Sequence, residues 1–339
     1  MKFAALALVC ATALGQNHAL AFGPDGHMAV GAIADELLKG TRAAKESRKI
    51  LGSTLRTASV WADCAKGVNE KTFKYGGAGT YAECAVYEKS PGSTQVMEDF
   101  VQRNVGTCPR PVGAEVCHRQ YHYTDVAIQR DSYSVGLVGT SKNDVVFAIN
   151  AMIAVLQGKP ALAPFHIADK KEALRLLTHY VGDIHQPLHV GTAYVDASGK
   201  VVDPDNSPFD PITEITGGND LLLDRPTPGR KPRNLHHEWD TVKGTIVNMP
   251  LPPAVIQNAQ AVPDTAGPID AWSAAWATES LLGSKFAYKD LTYEPLDQKA
   301  KKYFIVLPAG YGVEKGKLQR EHVVLAGARL AQILKAVWP

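Results

Sequence analysis

Thr178-His179-Tyr180-Val181-Gly182-Asp183-Ile184-His185-Gln186-Pro187-Leu188-His189 joins the end of an apolar-striped helix to a concentration of imidazoles and a carboxylate. Ala173, Leu176, Leu177, Tyr180, Val181 and Ile184 recur at i, i+3, i+4 spacing, the stripe of a helix facing a core. His179 and Asp183 stand i, i+4, so they share one face of that helix and can hold one metal ion or neighbouring ones. Pro187 ends the helix and turns the chain, which lets His189 swing back towards the same place.

The same stripe recurs along the chain. Val30, Ile33, Ala34, Leu37 and Leu38 follow His27; Val145, Val146, Ile149, Met152, Ile153 and Leu156 follow Asn143. Trp272, Ala275, Trp276 and Leu281 mark another helix, and Val323, Leu325, Leu330, Ile333, Leu334 and Val337 a last one. Strand signals are few. Tyr194-Val195 and Lys200-Val201-Val202 flank Asp196-Ala197-Ser198-Gly199, the pattern of a small β-hairpin. The remainder of 192–218 is rich in Pro, Asp and Gly and reads as a long surface excursion. The predicted fold class is mostly α, a single multi-helix domain with one hairpin excursion, since no linker, repeat or low-complexity tract divides the chain.

The N-terminus reads as a secretory signal peptide over 1–21. Lys2 precedes an apolar run from Phe3 to Leu14, too short to span a bilayer, and Ala19-Leu20-Ala21 is a small-residue cleavage pattern. Cleavage there makes Phe22 the mature N-terminus and predicts a secreted or periplasmic protein. Cys64, Cys84, Cys108 and Cys117 then remain, an even number in an oxidising compartment, so two disulfides are expected. Chain order suggests Cys64–Cys84 and Cys108–Cys117 among three possible pairings. No Cys-x-x-Cys spacing favours zinc on thiolates instead. Without Lys2 the formal charge of +2 becomes +1, and nothing along the chain resembles a basic nucleic-acid-binding stripe. Positive charge for a polyanionic substrate must therefore come from bound metal.

Four further stretches carry metal-binding or catalytic residue types. Asn234-Leu235-His236-His237-Glu238-Trp239-Asp240 repeats the i, i+4 pair with His236 and Asp240. Ser59-Val60-Trp61-Ala62-Asp63 is followed one turn on by Lys66. Tyr121-His122-Tyr123-Thr124-Asp125 sets a histidine between aromatics, and Phe22-Gly23-Pro24-Asp25-Gly26-His27 opens the mature chain. One such pair is commonly a surface ion pair or a core histidine. Two pairs plus His189, in a chain whose cysteines are oxidised, fit a multi-zinc site built from imidazole and carboxylate.

In chain order the five stretches resemble the S1/P1 nuclease family, whose fold is shared with zinc-dependent phospholipase C. The resemblance runs from Phe22 into the last helix, where Ala326-Gly327-Ala328-Arg329-Leu330-Ala331-Gln332 also matches; its most specific parts are His179–His189 and Asn234–Asp240. It implies three zinc ions. Asp63, His122, His179 and Asp183 would hold the first. Asp183, His27 and the backbone amine and carbonyl of Phe22 would hold the second, although the family usually has Trp in that place. His189, His236 and Asp240 would hold the third, with His237 as the competing residue and His118 and His185 in structural roles.

The resemblance further implies catalytic roles for Asp63 and Lys66 and base contacts from Tyr123, Asp125, Gly218 and Asn219. The expected activity is hydrolysis of single-stranded DNA and RNA to 5′-phosphorylated products, with removal of phosphate from 3′-nucleotides, by a monomer without membrane attachment. Zinc-dependent phospholipase C and a non-catalytic zinc-binding exported protein are the rival readings. The spacing of His27 from Phe22 and the acid at Asp240 argue against the phospholipase, which carries Glu there. The stretch between His189 and Gly217 is longer than is typical of the family.

Overall fold

The computed structural model describes residues 22–109, 115–206 and 208–339. The expected signal peptide lies outside them. The fold is mostly α. Its central layer pairs Gly23–Leu37 with the long last helix Tyr311–Val337, and Val145–Leu156 with Lys170–Asp183. Each forecast stripe is helical, and the last helix begins at Tyr311, ahead of the stripe that announced it. Asp144 and Asp169 cap their helices by accepting from Val146 and Phe147 and from Glu172 backbone N–H groups, which satisfies donors that the first turn leaves open.

Close helix approach fixes the geometry around the N-terminal helix. A Cβ on Gly327 would stand 2.5 Å from Ile33 Cβ, and one on Gly31 would stand 2.6 Å from the backbone of Leu55. No helix among the described residues is long and apolar enough to cross a membrane.

The hairpin is present, with Tyr194 opposite Val202 and Val195 opposite Val201. Two β features were not anticipated. Leu221–Leu222, Tyr303–Val306 and Thr292–Tyr293 form a three-stranded sheet. Val126–Ala127 runs parallel to Gly191–Thr192, and this pairing brings two histidine segments side by side. The expected surface excursion is also less superficial than its composition implied. Thr192 to Val195 and Ile215 are buried, and a second apolar cluster of Leu188, Val195, Ile215, Leu235, Trp239 and Tyr303 packs beneath the loop. Most of the described residues in the Pro- and Asp-rich part between them stay at the surface, Pro204 and Thr213 excepted.

Both disulfides follow chain order, Cys64–Cys84 and Cys108–Cys117. The first ties the segment after Asp63 to the loop that follows it.

Candidate metal centre

The helix Lys170–Asp183 delivers His179 and Asp183 one turn apart, both fully buried. The chain then turns through the short helix Pro187–His189. Ladder bonds from Thr124 N–H to His189 O (2.9 Å) and from Val126 N–H to Val190 O (3.0 Å) lay the His122 segment beside it. His27 arrives from the N-terminal helix across Gly182, where any Cβ would stand 2.5 Å from His27 Nδ1. Only glycine admits the ring so close to the helix. Its face lies on that of His179, with centroids 3.8 Å apart.

Around Asp183 the ligand-type atoms converge. His122 Nδ1 is 2.9 Å from Asp183 Oδ2, and His179 Nε2 is 3.3 Å from the same oxygen and 3.5 Å from Asp63 Oδ1. His27 Nε2 is 3.3 Å from Asp183 Oδ1. A separate group is formed by His189, His236 and Asp240. His27, Asp63 and His179, and likewise His122, His179 and Asp183, also offer ligand atoms within 4.8 Å of one another. The eight side chains that the sequence put forward as ligands are thus brought together. His236, not the exposed His237, faces the centre. His185 is turned away: its Nδ1–H donates to Val181 O and its Nε2 accepts from Arg329.

The tautomers decide whether these groups suit a cation. A backbone carbonyl only accepts, so each ring nitrogen facing one carries the proton. Nδ1–H of His179 donates to Ser59 O (2.6 Å), that of His189 to His122 O (2.9 Å), and that of His236 to Gly217 O (2.7 Å). Their Nε2 atoms therefore present lone pairs, and those of His189 and His236 point at each other at 3.0 Å. A proton cannot settle this contact. Burial pushes His236 down to about 4 and His189 well below its ordinary value, the latter helped by His236 itself. A cation relieves it, and carbonyl-pinned imidazoles are how metal ligands are oriented. The carboxylates tell the same story. Burial, with the field of Asp63, pushes Asp183 well above the carboxylate range. Burial likewise raises Asp240, opposed by Gln186, which donates to its Oδ1 at 2.9 Å. These acids need positive charge nearby to ionise.

Phe22 is fully buried at the start of its helix, at φ 34°, and its carbonyl accepts from Gly26 N–H at 3.1 Å. A carbonyl oxygen has a second lone pair beyond that bond.

A cavity of about 430 Å³ opens over the centre, lined by His122, His189 and His236 below and by Lys66, Arg119 and Lys302 among its cations. Lys66 Nζ sits 2.8 Å from Asp63 Oδ1, and both side chains are more than nine-tenths buried. Tyr123, Asp125 and Asn219 line the wall. Asn219 donates to Thr216 O, which fixes its amide. Gly217 holds φ 56°, and a Cβ there would stand 2.6 Å from Leu188 O. Its carbonyl sets the His236 tautomer, and Gly217 lines the wall with Asn219, whereas Gly218, expected to contact the base, does not line the cavity and sits against Leu188, Leu235 and Tyr288.

Sequence reasoning did not foresee Glu214. It leaves the surface part of the excursion and shares a hydrogen bond with Asp125. Burial pushes both carboxyls up, and the Glu214 charge helps carry Asp125 well above the carboxylate range, so the pair holds a proton. Arg119, Lys302 and Gln186 were also missed. Each lies far in sequence from the group it serves, or carries no spacing signal.

Comparison with known proteins shows the chain's relatives. The match to Endonuclease 4 of Arabidopsis thaliana is 30% identical over 139 residues, covering 36% of this chain and only 38% of that protein's length. A family model described as S1/P1 Nuclease matches residues 22–338, and the chain belongs to the S1/P1 nuclease family.

Proposed function

We propose that this protein is an exported, zinc-dependent phosphodiesterase that cuts single-stranded DNA and RNA to 5′-phosphorylated products and removes phosphate from 3′-nucleotides. The reading takes 1–21 as a cleaved leader and 22–339 as one catalytic domain, acting as a monomer in a secreted or periplasmic setting. The observation that carries it is the convergence of carbonyl-pinned imidazole lone pairs with buried carboxylates, beside a cavity that His122, His189, His236 and Lys66 line.

Three zinc ions are proposed. Asp63, His122, His179 and Asp183 would hold one; Asp183, His27 and the Phe22 backbone a second; His189, His236 and Asp240 a third. Bound zinc supplies Lewis acidity and a water acidified to near neutrality. The chain's own groups do the rest. The carbonyls of Ser59, His122 and Gly217 keep each imidazole in its ligating tautomer. Asp63 orients the attacking water, and the Lys66 ammonium steadies negative charge growing on the phosphate oxygens. Tyr123 stacks on the base, while Asp125 and Asn219 meet its edge. A stacked platform accepts only an unpaired base, which accounts for a single-strand preference.

The test is hydrolysis of single-stranded DNA and RNA by the form starting at Phe22, with and without a zinc chelator and after zinc is restored. Chelator-sensitive release of 5′-phosphorylated products is expected. No cleavage by zinc-loaded protein would refute the proposal.

A further inference from the structure

A second cavity, about 410 Å³, adjoins the first. The two share a wall made by Asn219, Lys231, Pro232 and Asn234. The group His189, His236 and Asp240 sits beneath that wall: both histidines line the first cavity, whereas Asp240 lines the second. A phosphodiester held over this group carries a nucleoside on each side. If one enters the first cavity, the other is directed to the second.

The second cavity suits a neutral nucleoside. Asp240 belongs to the candidate metal group, so the cavity's other charged side chains are few, Lys231 and Arg233 with Asp25. Arg233 is already engaged by Asp224 at 3.0 Å and Glu238 at 3.3 Å. Tyr81 supplies an aromatic surface, half-buried and packed against the main core on one side. It lies three residues before Cys84, whose disulfide partner Cys64 directly follows Asp63. The ring is thus covalently tied to the segment that carries a candidate ligand, so its distance from the centre is held.

We propose that this second cavity binds the nucleoside that leaves with the 5′-phosphate, with Tyr81 as its stacking surface. The inference rests on the phosphodiesterase reading above. It makes the enzyme a reader of two successive nucleotides, not one.

The experiment compares kcat/KM of the zinc-loaded protein on a dinucleoside monophosphate and on the 3′-mononucleotide that fills the first cavity alone. Where the mononucleotide binds without being cut, its inhibition constant replaces the rate. Stacking on one aromatic is worth about 1–3 kcal/mol, so Tyr81→Ala should lower the dinucleotide value roughly 5- to 150-fold. The mononucleotide value and the melting temperature should hold, and Tyr81→Phe should restore the dinucleotide value. Equal losses on both substrates mark Tyr81 as structural and overturn the proposal, as does no loss on either. A wild-type protein that cuts neither substrate refutes the phosphodiesterase reading itself, a result distinct from a failure of the second cavity.

Discussion

Gly182→Ala strikes the centre at its tightest point. The new methyl would stand 2.5 Å from His27 Nδ1 and 2.8 Å from Cε1. Heavy atoms in contact prefer about 3.5–4.0 Å, so the ring must retreat by roughly 1 Å. It is fully buried and stacked on His179, which leaves it little room. Two effects on stability oppose each other. Alanine in a helix interior gains up to about 1 kcal/mol over glycine, and overpacking costs about 1–3 kcal/mol. The net loss is therefore small, on the order of 0–2 kcal/mol. Function is less tolerant. Site groups must be held within about 0.5 Å, and a 1 Å misplacement can cost about 100-fold in rate. The chelated variant should melt near chelated wild type; loaded with zinc it should bind one ion fewer, melt lower, and lose about two orders of magnitude in kcat. Metal content after dialysis, measured with kcat on a single-stranded oligonucleotide, checks this. Wild-type activity together with wild-type metal content would refute the claim that His27 ligates where Gly182 admits it.

Lys66→Ala should lower kcat by about 100- to 1,000-fold, the usual loss of one group that stabilises transition-state charge, with bound zinc retained; steady-state kinetics and metal analysis read both. His236 is held neutral down to about 4 against an ordinary 6.5, so the unfolded chain takes up a proton that the metal-free fold refuses. Stability is then lost as pH falls from 6.5 towards 4, by up to roughly 3 kcal/mol. Chelated His236→Asn should lose less across that window than chelated wild type, and parallel melting curves would contradict it. Asp125 has the opposite sign: its raised pKa means that stability falls as pH rises through the folded value. Asp125→Asn keeps a donor for Glu214 and should gain on wild type with rising pH in thermal melts of the chelated proteins.

The sequence by itself determined the helices and most of the centre's membership. Helical stripes, the two i, i+4 pairs and the turn at Pro187 are local patterns, set by a period of a few residues. The disulfides also followed chain order, since short loops close readily. Only the tertiary structure decided how the pieces meet. The parallel pairing of Val126–Ala127 with Gly191–Thr192 joins segments about sixty-five residues apart and sets His122 beside His189. Gly182 reads in sequence as a helix-weakening residue, and its reason becomes visible only when His27 arrives from another helix. The carbonyls of Ser59, His122 and Gly217 leave no mark in side-chain identity, although they choose the tautomers. The Asp125–Glu214 pair and the wall between the two cavities arise in the same way. Packing between distant elements creates them, and no local period encodes which distant surfaces will touch.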